Sequence, residues 1–217
     1  MILYLGLDPS RWKAEKPLIH YPVIRTKRLG FTKPTDLLQA THLIFTSRSA
    51  VSYWEEFEGK EILAIGEATA EMLQQRGLKP LIAPDATQEG MAALLDTLDL
   101  KDAYLIWPRS NKARHFLTAY LKQKSPRKFL PIDLYETIYQ HLKPEPSLEN
   151  VEEIVFTSPS TVEGFLRIYR ELPQNIKLTP IGPITRKYLL DFFRNLHPLP
   201  APAPLPVPAP SPSQCVL

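Results

Sequence analysis

The chain has 217 residues and a single cysteine, Cys215, which excludes an intramolecular disulfide and a cysteine-built metal cluster. Glycine is scarce as well, eight in all, and no GxGxxG or Walker loop occurs, so the usual glycine-built phosphate cradles are missing. The five histidines, at 20, 42, 115, 141 and 197, lack metal-ligand spacing, and neither HExxH nor a nucleophile elbow supports zinc or Ser-His-Asp chemistry. No run is apolar enough to span a bilayer. After MILYLGL comes Asp8 rather than a long apolar region and cleavage site, so no signal peptide is expected. Charge is nearly balanced, with a net +3 and a pI near 8.9. That permits an anionic ligand without demanding nucleic acid. A cytoplasmic protein with neither nucleic-acid nor membrane partners is the expectation.

What is present is a duplication. Residues 41–57, THLIFTSRSAVSYWEEF, and 152–169, EEIVFTSPSTVEGFLRIY, each read as a short apolar strand, Phe-Thr-Ser, and a helix with an apolar face. Ser158 is placed to cap the second helix, with Pro159 in its first turn; Ser160 and Glu163 offer a capping box one register later. A second pair recurs in the same order: ILAIGEATAEMLQQRG at 62–77 and LTPIGPITRKYLLDFF at 178–193, both strand, Ile-Gly turn, threonine and helix. Hydrophobic residues make up 44% of the sequence, enough for two cores. Two related α/β units are the resulting expectation.

Along the chain, 2–7 reads as a strand, and 8–19 is too short and charged for a crossover helix. Trp12 suits a core, a lid or ligand stacking. HYPVIRT at 20–26 is extended, and a basic loop then leads to a short helix with Leu37 and Leu38. Strands 42–46, 61–65, 78–84 and 103–108 alternate with helices 48–57, 67–76, one capped by Thr87, and one carrying Ala113, Phe116, Leu117, Tyr120 and Leu121 inward. Residues 129–140 are strand-rich and 141–151 form a polar, Pro-rich loop or short helix. The last helix turns Tyr188, Leu189, Phe192, Phe193 and Leu196 inward. From Pro198 onward proline recurs at nearly every second position, so polyproline II or disorder is expected.

The repeated loops fall at the carboxyl ends of parallel strands, where open α/β sheets hold ligands. Thr46, Ser47, Thr69, Thr157, Ser158 and Thr185 offer hydroxyls at helix starts, either as caps alone or as an anion cradle. Arg25, Lys27, Arg28, Arg48, Arg109, Lys112, Arg114 and Arg186 supply positive charge nearby, unless they are solvated surface groups. Tyr135, with Tyr139 four residues on along the same strand face, is either a core or interface tyrosine or a phenol able to donate to a leaving hydroxyl.

HYPVIRT, LIFTSRSAV, ILAIGEATAEML, LIWPRSNKARHFL, LYET, IVFTSPSTVEGF and PIGPITRKYL stand in an order that resembles the uroporphyrinogen-III synthase family over residues 1–196. The resemblance implies two similar doubly wound parallel-sheet α/β lobes joined by a two-stranded connector. The outer lobe would hold 1–19 and 141–196, the connector strands 20–26 and 132–140, and the middle lobe 27–131, with 197–217 left as the Pro-rich tail. It implies a cofactor-independent, cyclising hydro-lyase that turns hydroxymethylbilane into uroporphyrinogen III, inverting ring D, with no metal. On that basis Tyr135 and Thr185 are the expected catalytic residues. Thr46, Ser47, Arg48, Thr69, Arg109, Lys112, Thr157, Ser158 and Gly182 are the expected substrate-binding residues. The expected state is a monomer that takes its substrate by transient handover from hydroxymethylbilane synthase. Two departures shrink the outer lobe: no room for a first helix, and the Pro-rich tail in place of a last strand and helix. The competing reading is a non-catalytic two-lobed binding protein for a polycarboxylate or tetrapyrrole.

Overall fold

The computed structural model describes residues 1–10 and 12–196, with backbone alone at 195 and 196; the expected tail and the inward place of Leu196 lie outside what is described. In chain order the elements are β1 (Ile2–Tyr4), β2 (Leu18–His20), β3 (Ile24–Arg28), a 3-10 turn at Leu37–Gln39, β4 (His42–Phe45), α1 (Arg48–Tyr53), β5 (Glu61–Ala64) and α2 (Glu67–Gln74). There follow β6 (Leu81–Ile82), α3 (Gln88–Leu95), β7 (Tyr104–Ser110), α4 (Phe116–Lys124), β8 (Lys128–Tyr139), β9 (Glu153–Phe156), α5 (Pro159–Tyr169), β10 (Lys177–Pro180) and α6 (Pro183–Leu196).

Two sheets result, a six-stranded one in the order β3-β8-β7-β4-β5-β6 and a four-stranded one in the order β10-β9-β1-β2. The six-stranded sheet is covered on both faces. Phe45, Ala50, Val51, Ala70 and Leu73 fill one side; Ile44, Met91, Leu95, Leu117 and Leu121 fill the other. That two-sided burial is why its parallel strands read as unbroken apolar runs. In the four-stranded sheet α5 and α6 share one core, where Leu3, Ile154 and Phe156 meet Phe165 and Leu189. The opposite face, with Ile2, Tyr4 and Val155, is covered by Trp12 from the irregular segment after β1 and by Leu18 of β2.

β8 joins the two units. Its first half runs parallel to β7, and its second half, Tyr135–Tyr139, pairs antiparallel with β3. Between the halves the register slips: Arg109 faces Asp133 but Ser110 faces Tyr135, so Leu134 is an extra residue. Such a bulge re-aims the side chain that follows it, and here that side chain is Tyr135.

Four expectations change. Residues 18–20 form a strand of their own, β2, and HYPVIRT, expected as one extended piece, is thereby split between the two sheets. Helix α1 ends at Tyr53, short of 57. Phe116 and Phe193, expected to face inward, are exposed. Ser158 is the N-cap of α5 and Pro159 its first residue, as expected; the partner that closes that turn is Thr161, whose Oγ1 accepts from the backbone N–H groups of Thr157 and Ser158 at 3.1 and 3.2 Å. The Ser160–Glu163 alternative is not used, because Glu163 is bonded to two tyrosines instead.

Candidate functional site

The carboxyl ends of both sheets face one cleft, which consists of three connected bays. A central bay of about 330 Å³ lies between Arg48, Ser110, Lys112 and Tyr135 on one side and Thr157, Ser158 and Ser160 on the other. A larger bay of about 520 Å³ shares Leu7, Thr26, Arg48 and Ser49 with it and extends along α1 and α2. A smaller bay of about 190 Å³ shares Ser110 and Tyr135 with it and reaches Thr46, Arg114 and Ile184. Tyr135 is therefore the wall between two bays.

The position of Tyr135 follows from its strand. After the bulge its side chain turns into the middle core, 6% exposed, beside Tyr53 with ring centroids 6.0 Å apart. Its phenol oxygen lies 2.8 Å from Ser47 Oγ. Ser47 caps α1 by accepting from Ala50 N–H at 3.1 Å, so one hydroxyl both starts the helix and fixes the phenol. Burial pushes the phenol above its ordinary pKa, opposed by the Ser47 bond and reinforced by Tyr53. Tyr135 thus stays protonated and can serve as a donor.

Thr46 lines the small bay and accepts from Trp107 Nε1 at 3.0 Å. Thr157 and Ser158 line the central bay, and Ser158 Oγ is a buried hydroxyl with no hydrogen-bond partner among the described residues. Arg48 lines the central and larger bays, but its Nη1 reaches Asp8 across the cleft at 2.6 Å. Lys112 lines the central bay with no acidic partner among the described residues, its ammonium 4.7 Å from the Tyr139 ring centre. Arg114 is paired bidentately with Glu89 at 2.8–2.9 Å.

Other expected residues are not brought into the cleft. Arg109 is held by Asp133 at 2.8 Å and Thr118 at 3.0 Å and lies 4.9 Å from the Trp107 ring centre, away from all three bays. Its expected place in the cleft is corrected accordingly. Thr69 and Thr185, 3% and 2% exposed, are buried in the first turns of α2 and α6 and line none of the three bays. Gly182 makes the turn before α6 with φ +79, a backbone that side-chain-bearing residues avoid. Of the other candidate cations, Lys27 pairs with Glu136 and Arg28 with Glu55.

Residues passed over in the sequence also line the cleft: Asp8, Ser110, Thr137 and Ser160. Asp8 was legible, as the first charge after an apolar strand. Thr137 was legible as the residue between two tyrosines on one strand face. Among the described residues no group of His, Cys, Asp or Glu is placed to hold a metal, and no helix is long and apolar enough to cross a membrane.

A family model described as uroporphyrinogen-III synthase HemD matches residues 17–194. No curated protein sequence matches. Among solved structures, a uroporphyrinogen-III synthetase from Helicobacter pylori is 21% identical, with 88% of each chain covered and a TM-score of 0.61. A selenomethionine mutant of uroporphyrinogen III synthase from the extremely thermophilic bacterium Thermus thermophilus is 19% identical, again with 88% of each chain covered and a TM-score of 0.58. At these identities the two structures establish the shared two-lobed α/β fold.

Proposed function

The chain belongs to the uroporphyrinogen-III synthase family, and from that premise we propose that hydroxymethylbilane closes in the inter-lobe cleft with Tyr135 beside the departing hydroxyl. The family activity is a cyclising loss of water that yields uroporphyrinogen III. The observation that carries the assignment of Tyr135 is its buried phenol, held 2.8 Å from Ser47 on the wall shared by two bays.

The chemistry asks little of a strong acid. The C–O bond of the ring-A hydroxymethyl group breaks, the oxygen leaves as water, and the pyrrole N–H proton is lost, giving a neutral azafulvene. A phenol held protonated by burial stabilises the charge that develops on the leaving oxygen by donating to it. The substituted carbon of ring D then attacks the azafulvene carbon, and the spiro intermediate fragments and recloses with ring D inverted. The protein's part is to hold both ends of a flexible chain together.

Eight substrate carboxylates need donors. Lys112 and the Ser158 hydroxyl are groups of the central bay that have capacity for them. Thr46, Ser47 and Thr157 complete the set of hydroxyls at strand ends, and Arg48 joins when Asp8 releases it. Thr69, Thr185 and Gly182 act through the turns they build. A cytoplasmic monomer, divided into a middle lobe at 27–131, an outer lobe at 1–19 and 141–196 and connectors at 20–26 and 132–140, receives the substrate by transient handover from the enzyme that makes it.

The test is product identity. Hydroxymethylbilane closes unaided to the symmetric type I ring. Chromatographic separation of isomers from the wild-type protein, without added metal or cofactor, is expected to give predominantly type III. Type I alone at the uncatalysed rate sinks the reading, and tight tetrapyrrole binding without turnover then favours a binding protein.

A further inference from the structure

Tyr139 lies four residues beyond Tyr135 on the same face of β8, past Thr137, which lines the central bay. Two cations approach its ring. The Lys112 ammonium, on the turn after β7, is 4.7 Å from the ring centre, and the Arg167 guanidinium, on α5, is 4.0 Å from it. The phenol donates to Glu163, whose other oxygen accepts from Tyr188 on α6 at 3.0 Å. Neither cation has an ion-pair partner among the described residues. The group therefore holds two positive charges against one carboxylate, and the positive charge left over belongs to the member that faces the cleft, Lys112.

We infer that Tyr139 is a positioning residue which holds the Lys112 ammonium at the rim of the central bay as the docking point for one substrate carboxylate. The inference rests on the synthase reading above and adds to it a residue that does not touch the reacting atoms.

A lysine side chain is a point charge on a flexible stem, and ordering it on binding costs conformational entropy. An aromatic face within about 6 Å of the ammonium attracts it and so supplies that ordering before substrate arrives. A phenol that donates to a carboxylate is also richer in ring electron density than a free one, which strengthens its hold on the cation. Burial and the Glu163 contact push the Tyr139 pKa up to about 12, so the donated bond persists throughout the neutral range. The attachment is also directional: Lys112 belongs to the six-stranded sheet, whereas Glu163, Arg167 and Tyr188 belong to the helices of the four-stranded sheet. The docking point is thus built from both sides of the cleft.

The experiment is a double-mutant cycle with Lys112→Met, Tyr139→Leu and the pair, with Tyr139→Phe as the conservative variant. Two quantities are read: KM and kcat for type III formation, and the equilibrium Kd for uroporphyrin III followed by its fluorescence. Each single variant is expected to raise KM and Kd by about three- to tenfold, as for loss of one partly solvated charge contact, with a smaller change in kcat. The double variant is expected to match the larger single effect, because both substitutions disable one device. Tyr139→Phe, which keeps the ring, is expected to lie closer to wild type than Tyr139→Leu. Multiplication of the two single effects in the double variant overturns the inference, as does a Tyr139→Leu variant that loses kcat while KM and Kd stay put. If Tyr139→Leu does not fold, Tyr139→Phe and Lys112→Met still decide: a Kd unchanged in Lys112→Met removes the docking point itself. A wild type that binds uroporphyrin III but makes only type I ring defeats the synthase reading while leaving the Kd cycle able to support or overturn this one.

Discussion

Ser47 Oγ and the Tyr135 phenol oxygen lie 2.8 Å apart although the residues are 88 positions apart in sequence. The contact fastens the start of α1 to the post-bulge segment of β8, so the donor at the cleft wall is held by a helix cap.

Tyr135→Phe keeps the ring and removes the donor. Type III formation is expected to fall by about ten- to a hundredfold, below the usual range for a dedicated general acid because neighbouring hydroxyls or water can substitute. Ser47→Ala removes the fastening and the cap together. It is expected to slow the reaction less than Tyr135→Phe while lowering stability by about 1 kcal/mol. Turnover assays and thermal melts on both variants check this; equal rates for Tyr135→Phe and wild type remove the phenol from the mechanism.

Asp8 holds Arg48 at 2.6 Å across the cleft. The Ser10 backbone N–H is the main reason that the Asp8 carboxyl lies below its usual pKa, with Ser10's side chain and Arg48 adding to it. Asp8→Asn removes a negative charge from a site meant for polyanions and frees Arg48. KM is therefore expected to fall, and small-angle scattering of the free protein to show a wider average lobe separation. A raised KM would mean that the ion pair helps to build the binding surface.

The Glu89 carboxyl is held down to about 2, chiefly by its bond to Arg114. A depressed folded pKa means stability that is present in full above the unfolded value of 4.5 and lost as pH falls through about 2. Both partners are nearly half exposed, so solvent screening keeps the contribution below about 1 kcal/mol. The melting-temperature gap between wild type and Glu89→Gln should be constant from pH 7 to about pH 5 and shrink towards pH 2. A gap that widens on acidification contradicts the assignment.

Gly164 sits inside α5 where a Cβ would come within 2.8 Å of Val23 Cγ2 and 3.0 Å of the Val23 carbonyl oxygen. In an open helix Gly→Ala gains about 1 kcal/mol. Here the neighbour is backbone just before β3, so Gly164→Ala is expected to cost about 1–3 kcal/mol through overpacking. Urea unfolding distinguishes the signs.

Local signals were legible in the sequence. The Phe-Thr-Ser repeats marked strand ends and caps because cap chemistry and apolar runs are short-range properties. Gly182 marked its turn for the same reason. The misses have long-range causes. β2 has three residues, none of them fully buried, and is too short to show a strand period. Arg109 looked like a cleft cation because nothing nearby in sequence reveals that Asp133 on the neighbouring strand takes it. Phe116 fits an inward stripe by spacing, yet α4 begins only at that residue, and its side chain is left at the rim. The bulge that aims Tyr135 has no sequence mark at all: Leu134 is an ordinary strand residue, and only the register between β7 and β8 makes it the extra one.

The order of strands in the smaller sheet also sets an order in time. β1 lies between β2 and β9, and its partner in β9 is about 150 residues further along the chain, Ile2 opposite Glu153. Everything from β3 to β8 forms a contiguous unit that can complete its own sheet as it leaves the ribosome. β1 emerges before that unit and must wait for β9, which at ordinary translation rates is roughly ten to thirty seconds. During that interval its apolar Ile-Leu-Tyr run has one side unpaired, a state that invites chaperone capture or misassociation. Nascent chains stalled before β9 should accordingly resist protease across the middle unit and be cut near β1.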